Sequence, residues 1–334
     1  MKILITGVHG FVGSNLVKYL AGKNEIFGLD IIAPEKEGVI KTYSWDELVA
    51  DQMSEVDAII HLAGKAHDTK NEATADVYFK VNTELTKKIF DYFLAHESIK
   101  KFVFFSTAKA AADKVDGILT EDVVPSPVGP YGESKIAAEN YILSKFKEFN
   151  GLSSLREDPL EPLEQLEHLK PTSKDVYIFR PCMIHGPGNK GNLNLLYNVV
   201  KKGIPWPLGA FENRRTFTSI ENICFAVNSV LTKDVPSGMY NMGDDEALST
   251  NELIEEICKS LGKKACIWKL PKGLMNGVAK VGGWLHLPLD PERLRKLTEN
   301  YVSSNAKIKK ALGVEKMPVD ARTGLQATLK SFKS

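Results

Sequence analysis

The chain opens with a strand-sized apolar run that breaks into evenly spaced glycines. Ile3-Leu4-Ile5 stops at Thr6-Gly7, Gly10 and Gly13 follow, and Phe11, Val12, Leu16, Val17 and Leu20 show helical spacing. An unbroken apolar run reads as a parallel strand buried on both faces. A glycine turn leading straight from such a strand into a helix gathers unpaired backbone N–H groups at one point, where they bind a diphosphate. Gly7 makes the tight turn, Gly10 lets the backbone approach the ligand, and Gly13 lets the helix pack close on the strand. The spacing is GxxGxxG rather than the commoner GxGxxG. Asp30 ends the next apolar run, 17 residues after Gly13. A carboxylate there accepts hydrogen bonds from ribose hydroxyls and repels a 2′-phosphate. Ile31 and Ile32 follow it with no cation beside them. The pattern predicts a dinucleotide site that takes NAD in preference to NADP.

Further strand patterns over 56–64, 101–107 and 176–181 alternate with helical patterns over 77–94 and 131–149. That alternation predicts a doubly wound parallel sheet, an α/β fold of the Rossmann type, with ligands at the carboxyl ends of its strands. Beyond about residue 186 the strand signal weakens and Gly and Pro become frequent, as in Gly186-Pro187-Gly188. The expected division is a dinucleotide-binding domain over 1–185, to which 216–240 returns, and a smaller, looser C-terminal α/β substrate lobe over 186–334. Leu160, Leu163, Leu166 and Leu169 recur every third residue in an acidic stretch, which predicts a short surface helix.

Charge and cysteine usage exclude several classes. The 43 basic and 42 acidic side chains leave a net charge of +1, so no overall field favours nucleic acid or an anionic membrane. Cys182, Cys224, Cys258 and Cys266 form no CxxC pair and no Cys/His cluster at metal spacing, so no metal site is expected. Reduced thiols suit a cytoplasmic protein. The most apolar long stretch, 274–289, is interrupted by Lys280, His286 and glycines; it is too short to span a membrane and reads first as a lobe helix and second as an interfacial one.

Tyr131 and Lys135 stand at i and i+4 and share a helix face. A phenol titrates near pH ~10 in water, too high for a base at neutral pH, and a neighbouring ammonium lowers it. The strand that precedes this helix ends in Ser106-Thr107, whose hydroxyls can hydrogen-bond a reacting oxygen. Asn82, on the intervening helix, can fix water or backbone near the lysine.

These motifs together resemble the extended short-chain dehydrogenases/reductases, specifically the NAD-dependent nucleotide-sugar epimerases and dehydratases. TGxxGFVG stands at 6–13, HLAG at 61–64, the family's Asn at Asn82, the hydroxyl strand at 104–108, YxxxK at 131–135, RPxxIxGPG at 180–188 and YNxG at 240–243. The resemblance implies Tyr131 as acid/base, Lys135 on the nicotinamide ribose and Thr107 as the substrate-orienting hydroxyl, with Ser106 as a second candidate. It implies cofactor contacts at Gly7, His9, Gly10, Phe11, Val12, Gly13, Asp30, Ile31, Leu62, Ala63, Gly64, Asn82, Lys135 and Pro181. Uridine-nucleotide contacts would fall on Asn192, Leu193 and Arg215, and a guanidinium suits a diphosphate. It also implies a homodimer through the helices over 77–94 and 131–149, the former offering Phe79, Phe90 and Phe93.

Departures narrow the chemistry. The family's dehydratases carry Asp-Glu directly after the catalytic Thr, where this chain has Ala108-Lys109, so water elimination is disfavoured. The family's aspartate after Arg-x-Phe-x-x-Val is replaced by Thr218-Ser219-Ile220-Glu221-Asn222. A 4-epimerase acting on a UDP-sugar, such as a UDP-N-acetylhexosamine, is the leading expectation. A nucleotide-4-keto-6-deoxy-sugar reductase uses the same residues. A non-catalytic NAD(H) sensor would be expected to have lost Tyr131, Lys135 or Thr107.

Overall fold

The computed structural model describes residues 1–66, 74–151, 174–189, 191–284 and 289–333. The expected helix around Leu160 lies outside these residues. The chain runs β1 (Lys2–Thr6), α1 (Phe11–Leu20), β2 (Glu25–Leu29), β3 (Lys41–Tyr43), α2 (Trp45–Val49) and β4 (Ala58–His61). Next come α3 (Ala75–Tyr78), a π-helical turn (Phe79–Glu84), α4 (Leu85–Ala95), β5 (Lys101–Phe105), α5 (Ala108–Ala111), β6 (Ile118–Leu119) and α6 (Pro130–Phe149). β7 (Asp175–Pro181), β8 (Met183–His185), β9 (Phe217–Ser219), β10 (Gly238–Met242) and β11 (Val302–Ser303) complete the strands.

Seven strands form one sheet in the order β10-β7-β5-β4-β1-β2-β3, and every pair in it is parallel. Strand order reverses between β1 and β4, which opens a crevice at their carboxyl ends. Alternate side chains of each strand feed opposite cores. Ile3 and Ile5 of β1 pack with Leu16, Val17 and Leu20 of α1 and with the helix Ile220–Thr232. Leu4 joins Ile59, Phe102 and Phe104 against α4 and α6. The sequence reading missed β3, which is only three residues long and pairs with β2 at the sheet edge.

Phe90 and Phe93 do not form the dimer face expected of them. Both are fully buried in this second core, packed on the ring of Phe102. Phe79 and Val77 remain outward.

The C-terminal part is not loose. Helices Asn192–Lys201, Thr250–Ser260, Lys272–Trp284 and Ala321–Ser331 share a core of Leu193, Tyr197, Leu253, Ile257, Met275 and Leu325. Its glycines and prolines lie largely between helices, where they signal turns rather than disorder. Its strands are short, β8 pairing with β9 and β11 with β6. Ser249 and Glu252 form a capping box that starts the helix Thr250–Ser260.

One buried relay ties the sheet to the helices above the crevice. His61 is fully buried between Thr6 (Nδ1 to Oγ1, 2.7 Å) and Thr86 (Nε2 to Oγ1, 2.9 Å). Thr86 donates its one hydroxyl proton to the Asn82 carbonyl, so it can only accept from His61. That assigns the proton to Nε2 and leaves Nδ1 to accept from Thr6. The Thr6 oxygen in turn accepts from the Leu62 and Ala63 amides. A second ring proton has no acceptor here, and burial, with the charge of Lys135, holds the imidazole well below its ordinary 6.5.

The linkage has a definite sign. Below about pH 6.5 the unfolded chain takes up a proton at His61 that the folded chain does not, so stability falls by up to ~1.4 kcal/mol per pH unit. Urea unfolding measured from pH 7.5 to about pH 5 should show this loss, and His61→Gln, although less stable at neutral pH, should show a flatter dependence. Parallel curves for the two proteins would remove His61 as the cause.

Candidate active site

The glycine turn has the geometry its spacing implies. Gly7 has φ +69°, and a Cβ there would stand 3.0 Å from the Ala63 amide nitrogen. A Cβ on Gly13 would run into the Gly7 carbonyl and Val8. Gly10 caps α1, with no side chain among the described residues bonded to the free N–H groups and no acid in the first turn. The positive end of the helix is therefore open to an anion.

Asp30 accepts from the His9 amide (3.1 Å) and the Ile31 amide (2.8 Å), so its carboxylate is fixed at the mouth of the turn with lone pairs to spare. His9 turns its ring to Thr42 on β3, and Ile31 is exposed. Lys36, a residue the sequence reading did not weigh, reaches Ser14 on α1 at 2.8 Å. Phe11 sits beneath Gly186, and Asn15 donates to the Pro187 carbonyl, so the Gly186-Pro187-Gly188 turn folds over this end of α1. Pro181 is buried at the end of β7, beside β10.

The second group converges at the ends of β4 and β5. Lys135 is buried and donates to the Phe105 carbonyl at 2.8 Å. Burial pushes its ammonium down to about 8, against the pull of Glu139. Tyr131, one turn earlier, has its phenol raised by burial, with a hydrogen bond to Thr107 acting in the opposite direction. Thr107 caps α5 by accepting from the Lys109 amide. A Cβ on Gly64 would stand 2.9 Å from Asn82 Oδ1 and 3.1 Å from Lys135 Nζ, so only glycine lets these side chains close on the strand end.

Asn82 sits in the π-helical turn, a distortion often found at functional sites. It holds backbone, accepting from the Lys65 amide and donating to the Lys65 carbonyl. It also donates to Ser134 Oγ (2.9 Å), and Ser134 donates to the Tyr131 carbonyl. The turn is thereby fastened to the helix that carries Tyr131 and Lys135.

Ser106 differs from its neighbour. Its hydroxyl donates to Glu139, which is fully buried and pairs with Arg180 (Nη2 to Oε2, 2.5 Å). Glu139 went unnoticed in the sequence although it continues the i, i+4 stripe of Tyr131 and Lys135.

The opposite wall comes from the C-terminal part. Arg215 donates to the Lys296 carbonyl, and its backbone pairs with Leu248 and Tyr301. Tyr301 donates to the Ala112 carbonyl at 2.9 Å, and Lys109 lies 5.0 Å from its ring. Lys109 is paired with Asp113, which also meets Arg295 (3.2 Å). Neither Tyr301 nor Arg295 belongs to a motif, so no sequence signal pointed to them. Asn192 is exposed at the first position of its helix. Leu193 turns its side chain into the lobe core, leaving only its backbone for a ligand.

A helix end open to a diphosphate, a fixed carboxylate for ribose and a Thr/Tyr/Lys group beside them fit a nicotinamide dinucleotide and a hydroxyl-bearing substrate.

Comparison with known proteins agrees. The chain is 28% identical over 297 residues to UDP-glucose 4-epimerase of Vibrio cholerae, covering 81% of this chain and 78% of the relative. It is 26% identical over 320 residues to N-acetyl-alpha-D-glucosaminyl-diphospho-ditrans,octacis-undecaprenol 4-epimerase of Escherichia coli O157:H7, covering 92% and 85%. The fold matches UDP-glucuronic acid 4-epimerase of Bacillus cereus, solved with NAD, at TM-score 0.71 and 20% identity, covering 100% of this chain and 99% of that one. Residues 3–243 match the NAD dependent epimerase/dehydratase family, and the chain belongs to that family, with NAD as its cofactor.

Proposed function

We propose that the protein is a 4-epimerase of UDP-sugars, with a UDP-N-acetylhexosamine as the leading candidate. The observation that carries this reading is the Thr107/Tyr131/Lys135 group beside the glycine turn, with Ala108 and Lys109 where elimination would need acids. The relatives that act on sugars at C4 support it.

When bound, NAD supplies the hydride acceptor and donor. The chain's own part is proton transfer and orientation. Tyr131 takes the proton of the C4 hydroxyl and later returns it. Burial, with Tyr78 beside it, raises its phenol against the hydrogen bond to Thr107, so its ionisation in the reaction calls for positive charge nearby, a role proposed for Lys135 one turn on. Thr107 holds the reacting oxygen against Tyr131. Lys135 reaches the cofactor ribose. The glycine turn, with Phe11, Val12, Leu62, Ala63, Gly64 and Pro181, encloses the dinucleotide, and Asp30 and Ile31 flank its adenosine ribose. Arg215, Asn192 and the Leu193 backbone hold the nucleotide diphosphate of the substrate. Lys109 is neutralised by Asp113 and offers neither an acid for a leaving hydroxyl nor a free base.

We also propose a homodimer. The exposed Val77, Phe79 and Phe149 on α3, the π-helical turn and α6 supply its apolar contact in place of Phe90 and Phe93.

The reaction is tested with UDP-N-acetylglucosamine and other UDP-sugars, catalytic NAD and NMR detection. Formation of the C4 epimer with no net change at the reduced-nicotinamide band is the expected result. Consumption of a nucleotide-4-keto-6-deoxy sugar with stoichiometric loss of NAD(P)H, and no epimerisation, would replace the epimerase with the reductase. Tyr131→Phe should lower kcat by roughly 10²–10⁴-fold while NAD affinity is kept.

The two adjacent hydroxyls should separate cleanly. Thr107→Ala is expected to lower kcat at least ~10-fold, because it removes the hydroxyl proposed to hold the reacting oxygen, and to cost about 1 kcal/mol of stability for the lost α5 cap. Ser106→Ala leaves the buried Glu139 short of one donor and should cost about 1–3 kcal/mol of stability while kcat changes little. Thermal unfolding and steady-state kinetics on both variants check this, and the reverse assignment of the two effects would exchange their roles.

A further inference from the structure

The helix Lys272–Trp284 carries two apolar stripes. Met275, Ala279 and Gly282 are buried, towards the lobe core and the helix Pro291–Thr298. The residue before each of these, Leu274, Val278 and Val281, is exposed at 55%, 47% and 54%. Positions i, i+4 and i+7 lie on one face, so these three form a continuous outward ridge about 100° round the helix from the buried one. Trp284 extends it, exposed at 80%, and Trp268 stands outward just ahead of the helix at 52%. Single exposed apolar residues are ordinary, but a contiguous ridge with two tryptophans marks a contact surface.

The charge around the ridge is one-sided. Residues 261–284 hold Lys263, Lys264, Lys269, Lys272 and Lys280 and no Asp or Glu, although the whole chain is only +1. All five are exposed, and none is paired with a carboxylate among the described residues. A second copy of this segment would set lysines against lysines, which opposes self-pairing. An acidic, partly apolar plane complements both features. Tryptophans at the headgroup level, lysines reaching anionic phosphates and an apolar stripe at the acyl boundary are the mode of an interfacial amphipathic helix.

We propose that the Trp268–Lys269 segment and the helix Lys272–Trp284 seat the protein peripherally on an anionic phospholipid surface. No described helix is long and apolar enough to cross a membrane, so the contact is with one leaflet. The seating helix packs on Pro291–Thr298, whose Lys296 carbonyl accepts from Arg215. The bilayer contact is thus one helix away from the proposed diphosphate contact. This inference goes beyond the proposed reaction and does not depend on it.

Flotation of the full chain with vesicles, in the absence of any sugar nucleotide, tests the surface separately from the chemistry. Binding to mixed phosphatidylcholine–phosphatidylglycerol vesicles, absent with phosphatidylcholine alone and weakened by salt, is expected. Lys272→Gln and Lys280→Gln should each weaken it about fivefold. The triple variant Leu274→Ser/Val278→Ser/Val281→Ser should lose most of it while retaining the circular dichroism and solution activity of the parent. Should that variant fold poorly, Trp284→Ala alone should still reduce binding and its fluorescence change. No binding to anionic vesicles, or binding equal in parent and ridge variants, overturns the proposal. So does self-association that the ridge variants abolish without any vesicle binding.

Discussion

The buried ion pair between Glu139 and Arg180 is the interaction on which the site depends. It joins α6 to the end of β7, and Ser106 joins it to the end of β5 through the same carboxylate. Two charges this far from water gain little net stability over an apolar pair of the same shape, but removing one partner strands the other at a cost of about 3–5 kcal/mol. What the pair adds is placement. It pins the helix at the point from which Tyr131 and Lys135 project, and it puts a carboxylate one turn below the Lys135 ammonium. That negative charge opposes the burial that pushes Lys135 down. An apolar residue at 139 would fill the space without that effect.

A second anchor works from the other side of the crevice. Thr6, His61 and Thr86 form a chain of hydrogen bonds from β1 through β4 to the helix above, and it ends on the Asn82 carbonyl. The Asn82 side chain then holds both backbone groups of Lys65 and reaches Ser134 on α6. Backbone groups that leave a sheet edge need partners when buried. Here the same side chains that satisfy them also fix the distance between Gly64 and Lys135. The proposed catalytic group is therefore set by two buried networks that approach it from opposite sides.

Much of this was legible in the chain because it is local. The strand–glycine–helix run at 3–20, the acid at Asp30 and the Tyr131/Lys135 stripe each follow from spacing alone. What was not legible depends on contacts distant in sequence. Ser106 and Thr107 are chemically alike, and only the fold shows that one faces Glu139 and the other Tyr131. Phe90 and Phe93 lie on a helix with apolar residues on more than one face, and which face is covered is decided by Phe102. The Gly- and Pro-rich stretch after 186 looked loose because it was read by strand periodicity, whereas its core is built by helices that return over more than a hundred residues.

The division between legible and illegible also separates chemistry from specificity. Thr107, Tyr131 and Lys135 belong to one strand end and one helix, held by the networks beneath them, and such placement is what the proton transfer proposed for them requires. The facing wall is assembled differently. Arg215 is positioned by a bridge to Tyr301, Tyr301 by a hydrogen bond to Ala112, and α5 by Asp113 bonding to both Lys109 and Arg295. Two of these contacts, Tyr301 to Ala112 and Arg295 to Asp113, join the C-terminal part to the segment after β5, and the two ion pairs are exposed enough to be weak individually. A wall built from such contacts can change its residues without disturbing the proton-transfer group. Chains that share the motifs can therefore differ in this wall, because the neighbours of residues such as Lys109 and Tyr301 are set only once the chain has folded.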